Sequence, residues 1–309
     1  MRFLSIIDPI DGLNHKSDSS IEIMRESGKR GIKTYFCTDL GHDRTLFADA
    51  FPVEIRDNGY RVGKGQRLPV DSFDLVLMRK EPPYDLHYHH MTLLLQHTKA
   101  PVVNSSQGLR NANEKLVALN FPDLIPRTLV SQDMSAITAF IKKYEKAVIK
   151  PVDLFGGKNV FLLEHSTEHN RDRIETVTMG GSQYAIVQEF MEDVFQGDKR
   201  ILLLNGEPLG AIRRIPGTGE FRANMAIGGT PKKTALTGSD LRIISRIRPY
   251  LIKEGLYFAG IDVIGDRLIE INVTCPTGII PIKEINKKNI TSSIVDFLEH
   301  VSTRNKKSG

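Results

Sequence analysis

Gly260-Ile261-Asp262-Val263-Ile264-Gly265-Asp266-Arg267-Leu268-Ile269-Glu270-Ile271-Asn272-Val273-Thr274 is the stretch on which the reading of this chain turns. Two aliphatic, β-rich runs flank Gly265-Asp266, and a Gly-Asp step between such runs signals a hairpin. Asp262, Glu270 and Asn272 are hard oxygen donors set among Ile, Val and Leu, the donor type that suits Mg²⁺ in company with substrate phosphates. Loop length decides whether they meet. A two-residue loop pairs Asp262 with Ile269 and sends Glu270 to the other face; a three-residue loop, Gly265 to Arg267, sets Asp262 opposite Glu270. Asn272 shares the face of Glu270, because side chains alternate along a strand. We expect the three-residue loop. The plain alternative is the solvated outer face of an antiparallel hairpin.

Working outward, Ser239 to Glu254 reads as an amphipathic helix closed by Gly255. A final helix, about Ile290 to Val301, precedes a basic tail, Arg304 to Gly309, expected to be disordered. Upstream, Arg213 to Arg222 reads as a Gly-rich, Arg-bearing loop of the kind that orders over an anion. Lys199 to Leu204 and Tyr184 to Phe190 are strands joined by a polar connection, Met191 to Asp198. Ala147 to Lys150 and Val160 to Leu163 are strands around Gly156-Gly157. This is no Walker A loop, since Asn159 follows Lys158 and a strand follows rather than a helix. It is a Gly-tipped hairpin whose backbone N–H groups could close over phosphates, with Lys150 beside it. A helix over Met134 to Tyr144 follows a strand at Thr128 to Val130, and Asn113-Glu114-Lys115-Leu116 opens another helix.

The first 111 residues alternate strands (Phe3 to Ile7, Ile32 to Cys37, Asp74 to Met78, Pro101 to Asn104) with helices. One of these opens on a Ser19/Glu22 capping box, and residues 43–69 read as an irregular excursion or short hairpin. That rhythm means an α/β, doubly wound parallel sheet, with ligands at the carboxyl ends of its strands near Asp8, Arg79 and Asn104.

Lys115, Lys150, Arg200 and Arg214 stand at element ends, too widely spaced for a surface run, and such cations can neutralise transferring phosphates. Singly each reads as a solvated surface charge; together with the Gly hairpin and the oxygen trio they read as a phosphate site. His87, His89, His90 and His97 lack the spacing of a metal site. Cys275 has no local His partner and reads as a small buried thiol. Neither a G-x-S-x-G elbow nor an H-E-x-x-H motif occurs.

Bulk properties exclude other classes. The 309 residues are 26% charged and 40% hydrophobic, ordinary for a globular protein of two or three domains. A net charge of +5, with no tryptophan and no basic run interleaved with aromatics, gives no nucleic-acid signature. Two cysteines, Cys37 and Cys275, with no signal peptide and no apolar run of bilayer length, lead us to expect a cytoplasmic protein with no membrane association.

A series of motifs in order then carries a resemblance: Asp8-Pro9-Ile10 with Lys16-Ser-Asp-Ser-Ser20, Met78-Arg-Lys-Glu-Pro-Pro83, Val103-Asn-Ser-Ser-Gln-Gly-Leu-Arg110 with Asn113-Glu-Lys-Leu116, Gly197-Asp-Lys-Arg200, Arg214-Ile-Pro216 and Glu270-Ile-Asn-Val-Thr274. Together they resemble bacterial glutathione synthetase, an ATP-grasp ligase, over nearly the whole chain. The resemblance implies an N-terminal substrate-binding domain (1–111), a central ATP-grasp lid (112–191) and a C-terminal catalytic domain (192–309). It also implies a homotetramer, and ATP, γ-glutamylcysteine and glycine as substrates joined through an acylphosphate. By the same resemblance Lys115 and Lys150 hold ATP phosphates, and Gln188, Glu189, Phe190 and Met191 line the adenine. Asp198 meets the ribose, and Arg200 and Arg214 hold phosphate and the reacting carboxylate. Asp262, Glu270 and Asn272 ligate two Mg²⁺ ions, or Mn²⁺. The chain departs from the family pattern at Leu154, Lys158, Ala223 and 275–281. A related ATP-grasp ligase with another acceptor therefore stays open, as does a non-catalytic nucleotide-binding regulator.

Overall fold

A computed structural model of the chain describes residues 1–305 other than Ser166 and Glu168. Of the basic tail, residues 306–309 lie outside the described ones; Arg304 and Asn305 end a helix.

The chain opens with β1 (Arg2–Ile6), α1 (Ser19–Lys29) and β2 (Lys33–Cys37). The capping box expected on Ser19 is replaced by Asp18, whose Oδ1 accepts from the amides of Ser20 at 2.7 Å and Ile21 at 2.8 Å. A carboxylate one residue earlier is the stronger cap, and Glu22 is drawn instead to Lys283 at 2.6 Å. The irregular excursion expected over 43–69 is an antiparallel ribbon: β3 (Gly41–Asp43), β4 (Thr45–Arg56), β5 (Gly59–Val62) and β6 (Gln66–Pro69). β4 buries Leu46, Ala48 and Ala50 at period two, while Asp49 and Pro52 on or near the open face hide that period in the sequence. β7 (Leu75–Met78), α2 (Leu86–Leu94), β8 (Val102–Val103) and α3 (Ser106–Asn111) complete the first unit. Its sheet runs β3-β4-β2-β1-β7-β8. The four strands β2, β1, β7 and β8 are parallel, and all four residues of β7 are buried, as two helix-covered faces require.

A second, wholly antiparallel sheet contains β9 (Thr128–Ser131), β10 (Lys146–Pro151), β11 (Phe161–Glu164) and β12 (Ala185–Glu189), ordered β11-β10-β12-β9. α4 (Met134–Tyr144) and α5 (Asn170–Thr178) cover one face, packing Ile137, Ile141 and Val177 on Ala147, Ile149 and Val187. Asn113 to Leu116, expected to open an α-helix, leads into a single 3₁₀ segment, Leu116–Asn120.

The third sheet comprises β13 (Asp198–Leu204), β14 (Glu207–Ile215), β15 (Thr230–Lys233), β16 (Phe258–Ile264) and β17 (Arg267–Asn272), ordered β15-β14-β13-β16-β17. Arg213 and Arg214, expected in a loop, stand on β14. α6 (Gly238–Lys253) starts on a Thr237/Asp240 capping box, and Gly255 follows its end at φ 67°.

The opening hairpin reaches its predicted face by another route. Its loop has two residues, Gly265 and Asp266, with Ile264 paired to Arg267 and Val263 to Leu268; the register then shifts so that Asp262 pairs with Glu270. Ile269 is the extra residue of a β-bulge. Bulging turns two successive side chains, Ile269 and Glu270, away from the core that Leu268 and Ile271 enter.

α7 (Ile279–Asn286) and α8 (Ile290–Asn305) end the described chain. α8 returns to α1: the Arg30 guanidinium donates to Asp296 at 2.6 Å and Glu299 at 2.9 Å. One core joins Phe3, Ile23 and Leu75 to Ile290, Ile294 and Leu298. Asn104, expected at a ligand-binding strand end, is instead a buried stitch between the first and third sheets. Its amide donates to the carbonyls of Phe258 at 2.7 Å and Val273 at 2.8 Å, and its oxygen accepts from Phe258 N at 2.7 Å. Among the described residues no helix is long and apolar enough to cross a membrane.

Candidate active site

A cavity of about 540 Å³ opens between the second and third sheets and reaches the loop after β7 at Glu81. Every candidate from Lys115 through Asn272 borders it, whereas Asp8, Arg79 and Asn104, at the strand ends of the first sheet, do not: Asp8 accepts from Glu81 N at 2.8 Å, and the buried Arg79 donates to Ser20 Oγ at 3.1 Å and Pro276 O at 3.0 Å.

Strand alternation aims the charges. On β13, Asp198 and Arg200 face the cavity while Lys199 between them turns to α6 and pairs with Asp240. Asp262, on the neighbouring β16, accepts from Arg200 Nε at 2.6 Å and Nη2 at 3.0 Å, and from Arg214 Nη2 at 3.0 Å. Arg214 also forks onto Asp198 at 2.5 and 2.6 Å. Burial alone would raise the Asp262 carboxyl; the guanidiniums of Arg200 and Arg214 outweigh it and hold it well below the usual carboxylate range. For Asp198 burial is the largest influence, and with the repulsion of Asp262 it outweighs Arg214 and the more distant Arg200, so its carboxyl is pushed up. Both its oxygens lie in the Arg214 fork, so a contact from Asp198 to a ribose competes with that ion pair.

Lys150, on β10, reaches across from the second sheet, its Nζ 3.4 Å from Glu270. Burial lowers its pKa, against the pull of Glu270. The Lys115 ammonium is held by the carbonyls of Val152, at 3.3 Å, and Leu154, at the base of the glycine turn. Gly156 and Gly157, at φ 67° and 80°, form the tip of that turn in a conformation L residues rarely adopt. β12 ends the cavity at its apolar side. Gln188 donates to Thr128 Oγ1 at 3.1 Å, Glu189 accepts from Arg127 N at 3.0 Å, and Met191 borders the same wall. Phe190 meets Phe221 edge-on with centroids 6.1 Å apart.

Asp262, Glu270 and Asn272 carry carboxylate and amide oxygens, a donor set that fits a hard divalent cation, while Asn272 Nδ2 donates to Asp262 Oδ2 at 3.3 Å and the Asp262 carboxylate is held by Arg200 and Arg214. Among the described residues no group of three or more His, Cys, Asp or Glu is placed to hold a metal ion, so a cation here would draw its remaining oxygens from substrate and water, as Mg²⁺ usually does. The histidines stay apart from it: His87 pairs with Asp39 at 2.7 Å, and His89 with the Tyr84 hydroxyl at 3.1 Å. Cys275 lines the cavity but donates to Arg79 O at 3.2 Å, and burial pushes its thiol up to about 12, which makes it a poor nucleophile at neutral pH.

Three participants escaped the sequence reading. Glu114 pins the end of β17, its Oε1 accepting from Val273 N, Thr274 N and Thr274 Oγ1 at 2.7 to 2.9 Å. Its only signal was its place beside Lys115. Ile269 enters through the bulge, which no local pattern announces. Arg222 was visible merely as one cation of a loop, yet its Nη1 donates to the Gly157 carbonyl at 3.1 Å.

Residues 1–110 match the family described as prokaryotic glutathione synthetase, N-terminal domain, and residues 114–287 match prokaryotic glutathione synthetase, ATP-grasp domain. The chain is 39% identical over 304 residues to glutathione synthetase of Vibrio parahaemolyticus, covering 95% of this chain and 96% of that one. It is 36% identical over 318 residues to glutathione synthetase of Synechocystis, covering 97% and 99%. Among solved structures, D-cycloserine synthetase DcsG superposes with a TM-score of 0.70 at 14% identity over 96% of this chain and 99% of that one. The ATP-grasp ligase PsnB gives 0.63 at 18% over 97% and 98%. At those identities the structures speak for the fold alone.

Proposed function

The chain belongs to the prokaryotic glutathione synthetase family, and we propose from that premise how its own residues divide the work of an ATP-dependent ligase that joins γ-glutamylcysteine to glycine. The observation that carries the reading is the pairing of Asp262 with Glu270 on one cavity face, directly beneath Lys150, Arg200 and Arg214.

The cysteinyl carboxylate of γ-glutamylcysteine attacks the γ-phosphorus of ATP, the bond to the β-phosphate oxygen breaks and ADP leaves. The glycine amine then attacks the acyl carbon, the bond to phosphate breaks, and a proton leaves the new amide. Lys115 and Lys150 bind ATP phosphates, and the Gly156-Gly157 turn lays its amides over them. Gln188, Glu189, Phe190 and Met191 line the adenine, and Asp198 is the group nearest a ribose. Arg200 and Arg214 hold the transferring phosphate and the reacting carboxylate, with Arg214 stabilising charge in both transition states. Asp262, Glu270 and Asn272 would hold two Mg²⁺ ions, or Mn²⁺, whose chemistry there is to neutralise charge on the phosphate oxygens. Residues 1–111, 112–191 and 192–309 act as substrate domain, lid and catalytic domain, and the working form is a cytoplasmic homotetramer.

An ADP-release assay with γ-glutamylcysteine, stepped through amino-acid acceptors, tests this reading. Glycine is expected to support the fastest turnover, and a different preferred amine would overturn the acceptor assignment. Glu270→Gln is expected to lose turnover on the order of a hundredfold or more while thermal unfolding stays close to the wild type. Near-normal rates would remove Glu270 from the metal set.

A further inference from the structure

Two covers from different sheets already touch over the cavity. The turn between β10 and β11 presents the Gly157 carbonyl, and the loop between β14 and β15 presents Arg222, whose Nη1 donates to it at 3.1 Å. The fit is close, since a Cβ added at Gly157 would meet Asn224 Oδ1 at 3.2 Å and Ile227 Cδ1 at 3.3 Å. One residue organises the loop side. Glu220 accepts from its own loop's amides, Phe221 N at 2.9 Å and Arg222 N at 3.0 Å, and from the Arg222 guanidinium at Nε, 3.1 Å, and Nη2, 2.6 Å. That carboxylate therefore uses two of the three guanidinium nitrogens and leaves Nη1 aimed at Gly157. Glu220 does not itself line the cavity, yet it sets the orientation of the arginine that does and that joins the covers.

We propose that Glu220 is a positioning residue, which holds Arg222 in the one orientation that ties the two covers together, so that they shut as a single lid and keep water from the acylphosphate. The inference rests on the ligase reading above. When the tie is loosened, water replaces the glycine amine: its oxygen attacks the acyl carbon, the bond to phosphate breaks, and γ-glutamylcysteine carboxylate and phosphate are released with protons lost to solvent. ATP is then consumed without glutathione.

The measurement is phosphate released per glutathione formed, with MgATP, γ-glutamylcysteine and glycine, beside a thermal melt. Wild type is expected to give one phosphate per glutathione. Glu220→Gln, which keeps the shape but surrenders the charge that grips Arg222, is expected to raise the uncoupled share of phosphate release roughly tenfold, as loss of a charge-assisted hydrogen bond implies, with an unchanged melting temperature. Arg222→Lys removes the fork from the other side and is expected to do the same; the double variant is expected to be no worse than the more affected single one, because the two residues act as a unit. A general loss of stability would lower kcat and leave the ratio alone. One-to-one stoichiometry in Glu220→Gln, or in Arg222→Lys should the first not fold, overturns the proposal, as do defects that multiply in the double variant. Wild-type enzyme that makes no glutathione would instead sink the ligase reading on which the proposal stands.

Discussion

Asp262 accepts from Arg200 and Arg214 at once, and Asp198 sits on the far side of Arg214. Asp262→Asn would leave two buried guanidiniums facing one carboxylate, a loss of about 3–5 kcal/mol by analogy with broken buried ion pairs, measurable by urea unfolding. The pH dependence has a definite sign. With its folded pKa depressed, Asp262 contributes stability above its ordinary value of 3.8, and that share is lost as pH falls through 3.8 toward the depressed value. Asp198, raised on folding, works oppositely, its share declining as pH rises from 3.8 to its folded value. The rise of unfolding free energy with pH below 3.8 should therefore be shallower in Asp262→Asn than in wild type; an unchanged slope there would mean that Asp262 is not held by its guanidiniums. Asp262, Glu270 and Asn272 were legible because oxygen donors are conspicuous in aliphatic strands. Glu114 was not, since its role is to grip backbone amides 159 and 160 positions away, and sequence shows no such partners.

At the scale of the element, the hairpin shows why a correct outcome can rest on the wrong geometry. Loop length and bulge each shift the register by one, so a three-residue loop and a two-residue loop with one bulge place Asp262 and Glu270 alike. Only the second adds Ile269 to the cavity wall. Gly265 begins the turn at φ 58°, and a Cβ there would meet the Asp193 carboxylate at 3.1 Å. Gly265→Ala is expected to cost about 1–2 kcal/mol and to raise the divalent-ion concentration needed for half-maximal turnover; an unchanged requirement would separate the turn from the metal face. Asp18→Ala should cost α1 about 1 kcal/mol, as read by chemical denaturation, which a cap on Ser19 would not predict. Helices and buried strands were legible by their periods, and α4 was read to the residue. β14 was lost because Pro208, Gly210 and two arginines make a strand look like a loop.

Across the whole molecule, the parallel core of the first sheet and its alternation with helices were legible, while the contacts between sheets were not, because they join residues far apart in sequence. Asn104 is the plainest case. Its three buried hydrogen bonds, all at 2.7 or 2.8 Å, tie the end of the first sheet to β16 and the chain just past β17. Asn104→Ala should remove roughly 3 kcal/mol at about 1 kcal/mol each, and calorimetry should then resolve an earlier transition for one part of the molecule. A single undivided transition with wild-type midpoint would refute the stitch.

The return of α8 to α1 has a consequence in time. Phe3, Ile23 and Leu75 share their core with Ile279 and Ile282 of α7 and with Ile290, Ile294 and Leu298 of α8, so the first sheet leaves the ribosome with an apolar face whose cover is completed only when the last helix arrives. At synthesis rates of about 5–20 residues per second, that face waits on the order of tens of seconds for its cover. Nascent chains stalled before residue 290 should therefore be sticky intermediates, handed to chaperones, however well the first hundred residues have formed their sheet.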